Sequence, residues 1–263
     1  MTRVAWCAAT DAAAHVLVDR LDDTLDVGDT DGHHLQRVRR LRPGEPVTAA
    51  DGAGHWREYT IATTAPGALH LEAIGDPVTE PTLAPPLRLA CALTKGDHPD
   101  AVVRHATELG VDAVVLVTAD RSVLRWDATR ADRARERLRR VAREAAGQCR
   151  RARLLTVEGP VALADLAATP GLVVADRDGL PAPRLPAPPP TGWLVVIGPE
   201  GGLTPDEHTR LGDPPRLAVG PHVLRAETAG VAVAAALAGH RHPDPAPDPT
   251  PHLPRHPGLD HPA

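Results

Sequence analysis

The chain has 263 residues, enough for one large domain or two modest ones with a real core, and its net charge of −5 argues at face value against a polyanionic partner. No apolar run approaches the roughly 20 residues needed to span a bilayer, and Met1–Trp6 lacks the apolar stretch of a secretory signal. Cys7, Cys91 and Cys149 are too scattered for a metal site or a disulfide framework, which points to a reduced, cytoplasmic protein.

Residues 1–78 read as mostly β. A helix over Asp31–Leu41 precedes short strands at Val47–Ala50, His55–Ile61 and Ala68–Ile74. These are separated by Arg42-Pro43-Gly44, Asp51-Gly52-Ala53-Gly54 and Ala65-Pro66-Gly67, all strong turn formers. Several short strands in succession predict a small barrel. Residues 79–86, within the proline-rich stretch Pro77–Pro86, read as a linker.

From Leu87 the rhythm becomes strand, helix, strand. Leu87–Leu93 is an apolar strand; Asp97 caps a helix carrying Val102, Val103, Ala106 and Leu109 at helical spacing, stopped by Gly110. Val114–Val117 is the next strand, and an arginine-rich helix follows over 128–146. Leu172–Ala175, Trp193–Ile197 and Arg216–Val219 are further strands, while Pro181–Pro190 is too proline-rich for either regular element. Thr204-Pro205-Asp206-Glu207 combines a cap, a proline at the first helical position and a glutamate at the third, which is a capping box. The last helix, Thr228–Gly239, has no polar face and should be buried in the domain or against a second subunit. Alternating strands and helices over 87–242 imply a parallel sheet covered on both faces. Residues 243–263 are expected to be disordered, and their histidines lack the spacing of a metal site.

Charge is unevenly spread. Twelve arginines stand against four carboxylates between Arg121 and Arg153, and His33-His34-Leu35-Gln36-Arg37-Val38-Arg39-Arg40-Leu41-Arg42 has no acid. A local basic face matters more to polyanion binding than the chain total, although a solvated helix in an arginine-rich chain gives the same pattern. Lys95 is the lone lysine.

The candidate site lies at the ends of two strands. Trp193–Ile197 runs into Gly198-Pro199-Glu200-Gly201-Gly202-Leu203, and Arg216–Val219 into Gly220-Pro221-His222-Val223-Leu224-Arg225-Ala226-Glu227-Thr228. Open α/β sheets bind ligands at the carboxyl ends of their strands, and clustered glycines let backbone approach a ligand closely. Turns 198–203 and 220–228 are therefore expected to share one pocket. Neither is a dinucleotide fingerprint or a phosphate loop.

The strings Ile197-Gly198-Pro199-Glu200-Gly201-Gly202-Leu203-Thr204 and Leu224-Arg225-Ala226-Glu227-Thr228-Ala229 resemble the two signature loops of the 16S ribosomal RNA uridine-N3 methyltransferases, the RsmE family of SPOUT enzymes. Thr107-Glu108-Leu109-Gly110-Val111, the stretch Glu144–Arg151, and His33–Gly44 followed by Asp51-Gly52 resemble other family motifs in the same order, so the resemblance covers residues 3–240. Gly147 and Leu154-Leu155 depart from the pattern.

The resemblance implies a PUA-like RNA-binding barrel at 1–78 and a SPOUT-type, trefoil-knotted parallel-sheet α/β methyltransferase domain at 87–242. It further implies S-adenosylmethionine as methyl donor, 16S ribosomal RNA or the small ribosomal subunit as substrate, and a homodimer. Cofactor binding would fall to Thr94, Ile197, Gly198, Pro199, Gly201, Gly202, Val219, Gly220, Val223, Leu224 and Thr228. Arg225 would stabilise the uracil anion, or else pair with Glu227 or Glu200; Glu200 would orient the base or the cofactor amine, or accept the proton; Glu227 would serve the helix N-terminus. RNA contacts would come from His34, Arg37, Arg39, Arg40, Lys95, Gln148 and Arg151. The alternatives are a ribose 2′-O-methyltransferase of the same fold, a non-catalytic RNA-binding assembly factor and a nucleotide-binding regulator.

Overall fold

A computed structural model describes residues 6–7, 10–28, 41–65, 68–93, 98–122 and 126–244. The expected helix at 31–41 and most of the tail lie outside them.

The N-terminal unit is a five-stranded sheet of β1 (Ala14–Leu17), β2 (Thr24–Val27), β3 (Pro46–Ala50), β4 (His55–Ala65) and β5 (Ala68–Thr79), in the order β1-β3-β4-β5-β2. Alternate residues along these strands point to one side, so Val47 and Ala49, Tyr59 and Ile61, and Leu69 and Leu71 bury together around Val16 and Val27. Pairings run from β1 to β2 without a closing pair among the described residues. Strands β1 and β2 are too short for their alternation to show in sequence. The proline-rich stretch 79–86 carries β6 (Leu83–Ala84), which pairs antiparallel with β13 (His242–Pro243).

The second unit contains β7 (Leu87–Ala92), α1 (His98–Glu108), β8 (Ala113–Thr118), α2 (Ala128–Cys149), β9 (Thr156–Ala162), β10 (Leu172–Pro181), β11 (Trp193–Ile197), α3 (Pro205–Arg210), β12 (Arg216–Ala218) and α4 (Ala226–Ala238). The sheet order is β12-β10-β11-β7-β8-β9, and every pair is parallel. Side chains alternate faces. Leu87, Leu89 and Cys91 join Val114, Leu116, Val195 and Ile197 beneath Val102, Leu138, Val233 and Leu237 of α1, α2 and α4. Ala90, Ala92, Val115, Val117, Leu194 and Val196 form the opposite core with Leu163, Leu166 and Leu211. A parallel sheet buried on both faces explains why these strands read as unbroken apolar runs.

Several boundaries differ from the sequence expectation. Helix α2 continues through Gly147 and Gln148 to Cys149, ending where Arg150 adopts a left-handed conformation and its amide donates to Ala146. Helix α4 starts at Ala226 with Arg225 as N-cap, so Thr228 is not the cap but lies in the first turn. One face of α4 is buried through Gly230, Val233, Ala234 and Leu237; beyond Glu227 and Thr228 of the first turn, its other residues are small and apolar and remain partly or fully exposed. Strand β9, broken by glycine and proline, was not foreseen. No helix among the described residues is long and apolar enough to cross a membrane.

Arginine joins the units. Arg150 donates to the carbonyls of Thr10 and Ala12, Arg153 to Ala53 and Arg143 to Leu17. The buried Glu80 carboxylate accepts from the amides of Cys7 and Ala152. Three of the twelve arginines in the basic stretch 121–153 are thus spent on carbonyl groups between the two units.

Candidate active site

Strand β11 is buried along its whole length and delivers Ile197 to the sheet edge. The chain then turns over Pro199–Gly202, closed by the Gly202 amide donating to the Pro199 carbonyl at 2.8 Å. Gly202 takes φ +68, which a side chain would strain. Thr204 follows immediately as N-cap of α3, and its capping box with Glu207 fixes the turn's exit. Glu207 has a further contact: its buried carboxylate also accepts from the Asp120 amide at 2.7 Å. Asp120 pairs with Arg210, and Arg121 donates to the Gly201 carbonyl at 2.6 Å. The segment after β8 therefore braces the first glycine turn from outside.

The second turn leaves β12 beside it. Strand β10 pairs with both β11 and β12, but its register against β12 shifts between Ala175 and Leu180. The extra residues bulge toward the turns, with Gly179 lying so close to Arg216 that an added Cβ would sit 2.5 Å from its backbone carbon. Asp176 bonds the Asp178 amide and faces Arg216 at 3.3 Å.

Together these three segments enclose a cleft of about 250 Å³. Turn 198–203 contributes Gly198, Pro199, Glu200, Gly202 and Leu203; turn 220–228 contributes Gly220, His222, Val223, Leu224 and Ala226. The two turns do form one pocket. Ile197, Leu217 and Val219 supply apolar wall, and the carboxylates of Asp176 and Glu200 face a space that would suit a cationic ligand. A Cβ on Gly198 would meet the Leu203 side chain at 3.4 Å, so the approach there is close.

Of the residues singled out in the sequence, Ile197, Gly198, Pro199, Glu200, Gly202, Val219, Gly220, Val223 and Leu224 line this cleft. Gly201 instead sits against the Arg121 side chain, and the exposed Thr228 is not among the lining residues, although Ala226 and Ala229 on either side of it are. Thr94 and Lys95 lie outside the described residues, as do His34, Arg37, Arg39 and Arg40. Arg225 is exposed at the N-terminus of α4 and makes no ion pair among the described residues; Glu227 faces His98 instead. Gln148 occupies the last turn of α2. Arg151, expected to touch RNA, donates to the carbonyls of Thr107 and Val111 and is largely buried, which pushes its guanidinium below the usual arginine range. Its location brings together the motifs at 107–111 and 144–151, but at the amino-terminal end of the sheet, remote from the cleft.

Sequence reasoning missed Asp176, Arg177 and His208 as lining residues. The signal for the first two was present: an apolar strand running into Asp176-Arg177-Asp178-Gly179 has the same form as the turns that were recognised. Cys91 is near the cleft, but burial pushes its thiol up to about 12, so it is no nucleophile at neutral pH.

Comparison with known proteins is consistent along the chain. A model described as an RNA methyltransferase domain matches residues 82–238, and one described as an RNA methyltransferase PUA domain matches residues 27–74. Ribosomal RNA small subunit methyltransferase E of Mycobacterium bovis is 34% identical over 240 residues, covering 84% of this chain and 89% of that protein. The Bacillus subtilis protein of the same name is 28% identical over 220 residues, 78% of this chain and 86% of its own. Among solved structures, ribosomal RNA small subunit methyltransferase E of Neisseria gonorrhoeae, bound to S-adenosyl methionine, has a TM-score of 0.75 at 23% identity, covering 86% of this chain and 97% of that one. A Legionella pneumophila protein with the same cofactor bound gives 0.75 at 21% identity, with the same coverage. At these identities the structural likeness establishes the fold.

Proposed function

Because this chain belongs to the ribosomal RNA small subunit methyltransferase E family, we propose that it transfers a methyl group from S-adenosylmethionine to N3 of a uridine in 16S ribosomal RNA. The observation that carries the reading is the single cleft made by two glycine turns at adjacent strand ends. Its residues suit the cofactor: glycine backbone for close approach, apolar wall at Ile197, Val219 and Leu224, and carboxylates at Asp176 and Glu200 opposite a cation. Bound there, S-adenosylmethionine supplies an electrophilic methyl group on a positively charged sulfur.

The chain's own task is then to position the uracil and manage its charge. Loss of the N3 proton puts negative charge on the ring. The exposed guanidinium of Arg225, without an ion pair among the described residues, stands at the N-cap of α4, where it and the helix N-terminus both stabilise an anion. The reading includes a trefoil knot in the second unit, RNA contact through the N-terminal sheet, and a homodimer in which the small-residue outer face of α4 meets a second copy.

The test is nucleoside analysis of 16S ribosomal RNA from a strain lacking the gene, complemented by the wild-type or Arg225→Ala chain. The expected result is loss of 3-methyluridine alone, restored only by the wild type. Loss of a ribose methylation would reassign the reaction to 2′-O transfer, and an unchanged profile would favour a non-catalytic assembly role.

A further inference from the structure

The uridine N3–H must lose a proton, and the cleft carboxylate Glu200 is exposed. A different carboxylate has the features of an oriented base. Glu227, in the first turn of α4, turns its side chain inward, only 21% exposed, toward His98 at the start of α1. Its Oε2 lies 3.2 Å from His98 Nδ1. That is ion-pair distance, yet both atoms are buried and, among the described residues, neither has an aligned hydrogen bond. Among the described residues the two buried atoms thus have only each other, without an aligned hydrogen bond, an arrangement that costs stability.

Position connects the pair to the reaction. Glu227 lines a small cavity of about 20 Å³ with Cys91, Leu93, Ile197 and Ala226. Ile197 and Ala226 also line the cofactor cleft, so the two spaces share a wall. Arg225 is two residues away on the same helix end. A carboxylate backed by an imidazole, next to the exposed guanidinium of Arg225 and beside a methyl-donor cleft, matches the logic of a base oriented by a third group.

Building on the reading of the chain as a uridine-N3 methyltransferase, we propose that Glu227, oriented by His98, accepts the N3 proton of the target uridine. The N3–H bond breaks as an O–H bond forms on Glu227; the electron pair left on N3 attacks the methyl group, and the sulfur leaves with the electrons of the bond that is broken. Arg225 meets the transient charge on the ring. His98 is a positioning residue.

The experiment compares wild type, Glu227→Gln and His98→Gln in single-turnover methylation of small subunits carrying either uridine or 5-fluorouridine in their 16S RNA, with S-adenosylmethionine affinity measured by calorimetry. Fluorine makes N3–H more acidic and lessens the need for a base. Glu227→Gln is expected to slow methylation of the uridine substrate by about 10²–10⁴-fold with cofactor affinity within a few-fold of wild type. His98→Gln is expected to lose about tenfold, and 5-fluorouridine to recover at least tenfold of the Glu227→Gln deficit. Near-normal turnover by Glu227→Gln overturns the assignment. So does an equal deficit on both substrates, which marks a structural role. A wild-type chain that binds cofactor yet modifies neither substrate overturns the functional reading itself, and the assignment with it.

Discussion

Glu207 offers the sharpest check on how the cleft is held. Its carboxylate, 2% exposed, accepts from the Thr204 amide at 2.7 Å and the Asp120 amide at 2.7 Å, linking the first glycine turn to the segment after β8. Glu207→Ala strands both donors. Each orphaned amide costs about 1–3 kcal/mol, so the expected loss is about 4 kcal/mol. Thr204→Ala is the control: it removes the reciprocal cap bond, worth about 1 kcal/mol, and leaves the Asp120 contact intact. For a chain of this size the Glu207→Ala loss lowers the melting temperature by roughly 10 °C. Thermal unfolding followed by circular dichroism, with urea midpoints as a second measure, reads both variants. A Glu207→Ala loss below about 1 kcal/mol, or no larger than that of Thr204→Ala, would refute the bracing argument by showing that water satisfies the two amides.

Three further outcomes follow from particular residues. Burial pushes His15, which sits between Cys7 and Thr48, down to about 4 from 6.5, so below 6.5 the unfolded chain binds a proton that the folded chain refuses. Stability is therefore complete above 6.5 and falls as pH drops toward 4, by up to about 3 kcal/mol; urea midpoints across that range should fall, and His15→Gln should flatten the trend. Gly179→Ala forces a Cβ against Arg216 and moves β10 from β12, and calorimetry should show cofactor binding weakened by about tenfold or more while far-ultraviolet dichroism is unchanged. Arg241, whose side chain is fully buried, serves the carbonyls of Leu83, Pro85 and Gly110 and the carboxylate of Asp112. Arg241→Ala should cost about 3–5 kcal/mol by thermal unfolding, and Arg241→Lys should recover less than half, because an ammonium cannot span four acceptors.

The parts of this protein legible in its sequence are those governed by neighbours along the chain. Strand β11 could be placed residue by residue, because a strand buried on both faces reads as an uninterrupted apolar run between turn formers. The capping box at Thr204 and Glu207 was equally plain, since its geometry spans three residues. The glycine turns and their loop composition marked the edge of the sheet where the cleft lies, and their wording pointed to the family. What the chain could not disclose locally is how a side chain is used once distant segments meet. The arginines of α2 and the residues after it look like a basic face, yet Arg143, Arg150, Arg151 and Arg153 are bound to carbonyls. Glu207 reaches an amide 87 positions away, and Glu227 meets His98 rather than capping its own helix. The third wall of the cleft depends on a register shift between β10 and β12, which no periodicity records. Local preference is set by residues within a turn of one another; partners for charged and buried polar groups are chosen by desolvation, and only the packed chain decides which groups lose their water.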